Sequence, residues 1–299
     1  MTTTVPAAGS ATAAHRPTPA GAPRSTKVGA SLLTVLTWVI GLIFVAPLFF
    51  MLLVSFHKNQ TATLNTPGLF EPLSLEGYQA FFGSKTGQST WPYIINSVMA
   101  SVISTAIVVI VAIPTAYALS VKPVRKWTDV MFFFLSTKFL PIAAALVPLF
   151  VIAKSIGMLN NIWFLVILYA GMNLPIAVWM MRSFLADIPP ALFEAASLDG
   201  AGLMKTLTRV VAPIAAPGIA ATSLICFIFS WNELLLAQLL TSSIDAQTLP
   251  TFLPSLFDPR NPFLATMSAA SICISLPVLI AGFAAQDKLV QGLSLGAVK

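Results

Sequence analysis

Six long apolar stretches constrain the fold of this chain more than any other feature of its sequence. Each is close to or above the ~20 residues that an α-helix needs to cross a bilayer, and hydrocarbon admits such a stretch only if its backbone groups are satisfied internally. Of the 299 residues, 57% are hydrophobic and 9% are charged, which excludes a soluble domain. The sequence therefore predicts an all-α, polytopic membrane protein. The predicted transmembrane helices are residues 31–54, 94–119, 130–153, 162–181, 214–240 and 263–285.

The basic residues indicate how these spans are oriented, because cytoplasmic loops carry an excess of lysine and arginine. With the N-terminus inside, 11 of the 16 basic residues fall in cytoplasmic segments and 4 in outside segments, and Lys138 lies within a span. Both termini are therefore predicted to be cytoplasmic. This bias also accounts for the net charge of +6 without a nucleic-acid partner. The cytoplasmic set is Arg16, Arg24, Lys27, Lys122, Arg125, Lys126, Arg182, Lys205, Arg209, Lys288 and Lys299, and the outside set is Lys58, Lys85, Lys154 and Arg260.

The remaining segments divide into a tail and loops. Residues 1–30 are rich in Ala, Thr, Pro and Gly without an apolar period, which predicts a disordered cytoplasmic tail. Residues 31–299 are predicted to form the membrane domain, with its core at about 92–287. The outside loop 55–93 contains prolines and glycines that favour a compact cap over a single helix. A second outside loop, 241–262, is also broken by prolines, and we expect it to be extended.

Residues 187–217 are a polar interruption between the fourth and fifth spans. Pro189 and Pro190 favour a helix start, because proline lacks the amide that would be unpaired in a first turn. Gly200 and Gly202 favour a stop, since glycine adopts the left-handed conformation at little steric cost. The sequence predicts a short helix near 190–199, a tight turn, and a second helical piece that runs into Pro213.

This interruption resembles the E-A-A loop of ABC importer membrane subunits, whose consensus is E-A-A, three residues, G, nine residues, then I-x-L-P. Glu194, Ala195 and Ala196 are followed by Gly200, then by nine residues up to Val210, with Pro213 in place. Val210 and Ala212 replace the consensus Ile and Leu and keep both positions apolar. The alternative is an ordinary amphipathic loop between two spans. The resemblance implies a coupling helix that contacts a cytoplasmic ATPase through Glu194, Ala195, Ala196, Asp199, Gly200 and Pro213.

The resemblance extends over about residues 30–299 and is closest to the MalG-type permeases of sugar importers. It implies the type I ABC importer fold, with the last five helices as the core and the first outside them. The implied partners are a second homologous permease, a cytoplasmic ATPase dimer, an extracytoplasmic solute-binding protein and a sugar or polyol substrate, in a bacterial inner membrane. It also implies that loop 241–262 meets the binding protein. The residues that carry the wider resemblance are Asn96-Ser97, Ala116 to Leu119, Pro141, Pro148, Pro175, Trp179, residues 229–235, Gln286, Gly292 and Gly296 to Lys299.

Two charges lie within predicted spans, where insertion of a charge costs ~2.5–3.5 kcal/mol, so each invites a functional interpretation. Glu233, with Trp231 and Asn232, is predicted to line a substrate path, with the tryptophan as a stacking face and the asparagine as a hydrogen-bonding amide. The alternative for Glu233 is a structural hydrogen bond between helices or to a partner subunit. For Lys138 the alternative to a path residue is an ammonium that reaches the interface along its aliphatic stem.

Several function classes lack their motifs. The GSKT run at 83–86 places serine where a P-loop requires lysine, so we expect no ATPase site. Cys226 and Cys273 lie in apolar spans, and neither a disulfide, a metal site nor a cofactor is expected. A membrane enzyme would need a catalytic cluster that the sequence does not show. The rival function is an ion-coupled secondary transporter, which predicts paired intramembrane carboxylates or an inverted repeat of broken helices.

Overall fold

The computed structural model describes residues 27–62, 71–83, 89–121, 124–139, 141–256 and 263–296, and these residues form helices, turns and no strand. The chain divides into two compact units, residues 1–49 and 50–299. The α-helices are α1 (Lys27–Ser55), α2 (Asn59–Ala62), α3 (Glu76–Phe81), α4 (Trp91–Ser120), α5 (Trp127–Ser136), α6 (Ile142–Ser155), α7 (Ile162–Ala186), α8 (Pro190–Leu198), α9 (Leu203–Thr206), α10 (Ala212–Ile214), α11 (Ala216–Trp231), α12 (Leu235–Leu240), α13 (Leu249–Phe252) and α14 (Leu264–Gly296).

The six predicted spans are found as four continuous helices and two bent pairs. α1, α4, α7 and α14 are each long and apolar enough to cross a membrane. The third span is α5 followed by α6, bent by 88°, and the fifth begins as residues 203–214 and bends by 84° into α11. In the first unit, the side chains of α1 from residue 31 to 49 are all exposed, as expected for a helix that is apolar on every face.

Proline accounts for both bends. Pro141 adopts an extended conformation (ψ 127°) directly before α6, and proline also disfavours a helical conformation for the residue before it. At the fifth span, Pro213 and Pro217 remove backbone donors on either side of the bend. A π-helical turn, Leu207–Val211, precedes Pro213 and widens the helix where the proline ring would otherwise crowd the preceding carbonyl. Predicting the third span as one continuous helix was therefore wrong.

Predicting the fifth span as one helix over 214–240 was also wrong. α11 ends at Trp231, residues 232–234 are not helical, and α12 begins at Leu235. The carboxylate of Glu233 accepts hydrogen bonds from the amides of Leu236 and Ala237, so the side chain serves as a cap for a new helix. An apolar run predicts burial but does not predict continuity of the helix inside it.

The core of the second unit lies where α4, α7 and α11 pack together. α4 contributes a stripe of mostly small buried side chains four residues apart, which lets neighbouring helices approach closely. Inside this apolar core, Ser230 accepts from the Asn173 amide at 2.9 Å and lies 3.1 Å from the Ser104 hydroxyl, so one polar cluster joins all three helices. The stripe is Ala100, Ser104, Val108, Ala112 and Ala116.

The outside loop 55–93 contains two short helices, α2 and α3, in the part that is described, and not a single helix. α2 and α3 pack against the beginning of α14. A Cβ added to Gly77 would lie 2.6 Å from the Ala265 carbonyl oxygen, so the close approach there requires glycine. The Thr266 amide donates to Asn59 Oδ1 at 3.1 Å. These contacts tie the loop to the last helix.

Some sequence features lie outside the described residues. They include the first 26 residues of the predicted tail, the GSKT run beyond Gly83, and the last three residues of the chain. Residues 257–262 of the second outside loop are also not among the described residues. The part of the predicted tail that is described, residues 27–30, belongs to α1.

Candidate functional site

The helix predicted near 190–199 is present as α8, and its ends form as the sequence indicates. Pro190 occupies the first turn, and the chain closes with Gly200 at φ +68°. The Gly200 amide donates to the Ser197 carbonyl at 3.1 Å, and the Ala201 amide donates to the Ala196 carbonyl at 2.9 Å. Such bonds satisfy the last carbonyls of a helix and require a left-handed residue at the turn. A Cβ added to Gly200 would meet nothing within 4 Å, so only the backbone conformation restricts this position within the chain.

α8 has one face packed on the body of the protein and one face exposed. Phe193 packs edge-to-face on Tyr117 at the end of α4, with ring centroids 5.8 Å apart. Ala196 is buried, whereas Glu194 and Ala195 are exposed. The contacts of Phe193 and Ala196 therefore fix the orientation in which α8 presents its outer face.

Four large apolar side chains are exposed around this face, and we call them the loop patch. The segment also carries five charged residues, and exposed apolar side chains that lie together in such a segment are typical of interaction surfaces. Leu198 alone has 89% of its surface exposed. The loop patch is Leu192, Leu198, Leu203 and Met204, and the charged residues of the segment are Asp187, Glu194, Asp199, Lys205 and Arg209.

A cleft of about 300 Å³ separates α8 from its neighbours. Glu194 lies at this cleft together with Tyr117 from α4 and Thr206 from α9. The carboxylate is exposed, so a charged partner group can reach it. The structure thus brings the residues predicted for coupling onto one short helix and the turn after it, with Pro213 further along the chain in α10.

The four residues predicted for the substrate path do not form one cluster. Trp231 is 1% exposed, its indole N–H donates to the Ile274 carbonyl at 3.0 Å, and its ring stacks on Phe227. Glu233 is buried, and its carboxylate accepts hydrogen bonds from the backbone amides of Leu236 and Ala237. Asn232 is exposed, although its amide donates to the Ile228 carbonyl at 2.8 Å. Of the three, only the asparagine presents its side chain outward in this conformation.

Lys138 lies in a 3-10 turn, Thr137–Phe139, at the bend of the third span. Its ammonium nitrogen is 5.9 Å from the centre of the Phe229 ring, an arrangement in which the ring attracts the cation. The lysine lines a cavity of about 710 Å³ between this bend, α7 and α12. Other residues lining this cavity, which we call the Lys138 cavity, are Pro141, Ile142, Gly171, Pro175 and Leu236.

Two further sets of residues near these sites were missed in the sequence. At the end of α7, the Arg182 guanidinium lies 3.6 Å from the centre of the Trp127 ring, and its Nε donates to the Leu119 carbonyl at 3.3 Å. It thereby connects α4, α5 and α7 beside α8. Arg182 was counted only as a cytoplasmic charge, and its partners are too far away in sequence to be recognised from spacing.

The second missed set holds the segment after α12. Asn96 and Ser97 at the start of α4, and Asn160 in the turn between α6 and α7, bind residues 242–249. Ala246, Leu249 and Phe252 are buried. The expectation that this loop is extended is therefore wrong for the described residues 241–256, which fold into short helical turns against the bundle because their apolar side chains have a core to enter.

The membrane-length helices define a polytopic membrane protein, and α8 with the loop patch lies between two of its spans. The chain matches the family model described as binding-protein-dependent transport system inner membrane component, over residues 108–295. The chain belongs to this family of ABC transporter permeases, as the E-A-A-like loop predicted.

Individual relatives agree with this assignment. The diacetylchitobiose uptake system permease protein DasC of Streptomyces coelicolor is 29% identical over 89% of this chain and 95% of the relative. The trehalose/maltose transport system permease protein MalG of Thermococcus litoralis is 29% identical over 85% of this chain and 91% of the relative. A chain in the crystal structure of a bacterial ABC transporter involved in the import of the acidic polysaccharide alginate has the same fold, with a TM-score of 0.73, 22% identity, and coverage of 91% of this chain and 100% of that chain.

Proposed function

We propose that this chain is one half of a heterodimeric permease that imports a sugar, an oligosaccharide or a polyol. Family membership places it in a binding-protein-dependent transport system, and the two relatives named for sugar uptake support a carbohydrate substrate. A solute-binding protein would deliver the substrate from outside, and a cytoplasmic ATPase dimer would drive transport. Between this function and the ion-coupled secondary transporter, family membership favours the importer.

The observation that carries the coupling role is the orientation of α8. Phe193 and Ala196 attach the helix to the body of the protein, while Glu194, Ala195 and the loop patch remain exposed. In this proposal the ATPase covers the loop patch, and Glu194 pairs with a basic or amide donor of the ATPase, as carboxylates do in protein interfaces. Asp199 and Gly200 form the turn that aims the helix. Pro213 belongs to the bent segment through which movement of α8 reaches α11.

The proposed substrate path runs past the Lys138 cavity. Lys138 and Asn232 offer polar groups, and the exposed ring of Phe229 offers an apolar face for a sugar. Trp231 and Glu233 belong to the same region through the packing and capping roles they show. The second permease subunit would complete the path from its own side.

We further propose that the protein lies in a bacterial inner membrane with both termini in the cytoplasm. The supporting evidence is the excess of basic residues in the segments on that side. This orientation places α8 where an ATPase reaches it.

The test is uptake into proteoliposomes that contain this chain with its second permease and its ATPase. With the solute-binding protein present, we expect accumulation of labelled sugar that requires internal ATP and persists when ionophores abolish ion gradients. Uptake that follows an ion gradient without ATP would contradict the proposal. Uptake that requires ATP but accepts only a non-carbohydrate solute would contradict the substrate class alone.

A further inference from the structure

The buried carboxylate of Glu233 has a specific structural task. Oε1 accepts from the Leu236 amide at 3.0 Å, and Oε2 accepts from the amides of Leu236 and Ala237 at 3.1 and 3.3 Å. These amides belong to the first turn of α12, where no intrahelical acceptor exists. Glu233 has 9% of its surface exposed. Water therefore reaches these amides in place of the carboxylate only if α12 moves. A charge-assisted cap is among the stronger hydrogen bonds available at such a position.

Side chains from distant parts of the chain hold the rest of this region, which we call the outer segment (residues 235–252). The Asn96 amide donates to the carbonyls of Ile244 and Gln247, both at 2.9 Å. Ser97 accepts from the Leu249 amide at 2.7 Å. Asn160 accepts from the amides of Ser242 and Ser243, both at 2.9 Å. The outer segment is therefore attached at its far end to α4 and to the turn between α6 and α7, and at its near end through Glu233.

α12 also contributes one residue, Leu236, to the lining of the Lys138 cavity. The backbone amide of this residue donates to both carboxylate oxygens of Glu233. The backbone between α11 and α12 is irregular only at residues 232–234. A rotation of α12 about these three residues would move Leu236 relative to Lys138 and would break the contacts of Glu233 at the same time.

We propose that Glu233 is a positioning residue that holds α12 and the outer segment closed over the Lys138 cavity until the binding protein docks. This inference rests on the proposed importer function and assigns Glu233 no contact with substrate. In the resting state the cap favours the closed position of α12. When the ATPase closes and the bundle opens outward, the cap is given up, so its strength sets part of the cost of reaching the outward-open state.

Weakening the cap should lower the free-energy cost of reaching the outward-open state. Glu233→Ala removes all three contacts, which lowers the cost of opening and lets the ATPase cycle without the binding protein. We expect ATP hydrolysis in the absence of binding protein to rise about fivefold, the shift of a two-state equilibrium that follows from the loss of one helix cap. Glu233→Gln keeps one acceptor oxygen, so its hydrolysis rate should lie between those of the wild type and of Glu233→Ala.

The matched control is another helix cap of the same chain. The Asn161 side chain accepts from the Trp163 amide at 2.9 Å at the start of α7, outside the outer segment and the cavity. Asn161→Ala should lower the melting temperature of the complex, by no more than Glu233→Ala does, without raising hydrolysis in the absence of binding protein.

The experiment compares ATP hydrolysis by the reconstituted complex of both permeases and the ATPase, with and without sugar-loaded binding protein. An equal rise in Asn161→Ala and Glu233→Ala would show a general loss of stability and overturn the positioning role. No rise in Glu233→Ala would also overturn it, and if that variant fails to assemble, no rise in Glu233→Gln does so instead. A wild-type complex that no binding protein stimulates would overturn the proposed function itself, which keeps the two failures apart.

Discussion

The coupling loop (residues 187–217) and the outer segment both interrupt apolar sequence, but they are held in different ways. In the coupling loop, the bonds that close α8 join residues three to five positions apart, such as Ala201 to Ala196. In the outer segment, the bonds from Asn96, Ser97 and Asn160 join residues 82 to 152 positions apart. The first region is built from local interactions and leaves an apolar face exposed, whereas the second is completed by the tertiary structure.

The difference agrees with the two tasks that we propose for these regions. A surface that meets a separate subunit must keep its shape before the partner arrives, so local bonds suit it and its apolar side chains remain uncovered. A closure at the end of a transport path has to be stable within the subunit, and buried hydrogen bonds from several helices provide that stability. Variants in the first region should therefore impair partnership at nearly constant stability, and variants in the second should change stability or gating.

The largest expected difference between the two regions is the side of the membrane on which each one lies. Asp245 in the outer segment and Leu203 in the coupling loop are both exposed. In a background in which Cys226 and Cys273 are replaced, we expect Asp245→Cys to react with a membrane-impermeant thiol reagent in intact cells. Leu203→Cys should react only after permeabilisation. The reverse pattern would invert the topology and remove α8 from the reach of an ATPase.

Gly200→Asp should abolish uptake and release the ATPase from the membrane. The left-handed conformation costs a residue with a side chain ~1 kcal/mol, and the new carboxylate enters the space in which the ATPase docks. Gly202→Asp is the matched control, because Gly202 has φ −67° at the start of α9, where aspartate is favoured. Co-purification of the ATPase and sugar uptake in vesicles are the measurements. Normal transport by Gly200→Asp, or failure only because the protein is absent from the membrane, would contradict the coupling role.

Leu198→Asp should reduce co-purification of the ATPase strongly while leaving the permease itself stable. Substitutions at such exposed positions change stability by no more than ~0.5 kcal/mol, so the melting temperature of the permease should barely move. Ile244→Asp places the same charge on an exposed apolar residue of the outer segment and should leave the ATPase bound. Equal losses in both variants would mean that the loop patch is not a docking surface.

Asn96→Ala should lower the stability of the permease by ~1–3 kcal/mol, because the carbonyls of Ile244 and Gln247 lose their donor. Thermal unfolding of the purified permease in detergent measures this change. Thr208→Ala, which removes a 2.7 Å bond to the Met204 carbonyl in the coupling loop, is the comparison and should cost much less. If both variants are equally stable, the distinction between local and tertiary support fails.

Glu194→Ala should have the smallest effect, a partial loss of uptake with a milder loss of ATPase binding than Gly200→Asp causes. The carboxylate is exposed in the permease, so its removal takes away one contact with the partner and leaves α8 folded. Glu194→Gln should retain more uptake than Glu194→Ala if the partner group is a neutral donor, and no more if it is a cation. Uptake at the wild-type level in Glu194→Ala would show that this residue does not take part in coupling.

Much of the fold was predictable from the sequence, because span length and proline or glycine positions act locally. Four of the six stretches were found as continuous helices, and α8, the turn at Gly200 and the helical piece that runs into Pro213 were found as predicted. The bend at Pro141 and the break at residues 232–234, which contain neither proline nor glycine, were not predicted. Inside an apolar run, burial dominates the pattern and conceals the continuity of the backbone.

The candidate sites, like the fold, were predictable from the sequence only in part. Spacing alone placed Glu194, Ala195, Ala196 and Gly200 on one short helix and the turn after it, since helix starts and stops depend on neighbouring residues. Spacing could not show that the Trp231 indole N–H donates to the Ile274 carbonyl, or that the Lys138 ammonium lies over the Phe229 ring. These orientations depend on which helices pack together.

The sequence by itself therefore determined which segments enter the membrane, the local shape of the coupling loop, and the family to which the chain belongs. Hydropathy, basic-residue bias and turn chemistry are properties of neighbouring residues, so they can be recognised in the sequence before the fold is known. Only the tertiary structure decided that the Trp231 indole meets the Ile274 carbonyl, and how Asn96, Ser97 and Asn160 hold the outer segment. Those contacts join residues far apart in the chain, and they exist only after α4, α7 and α11 have packed around a common core.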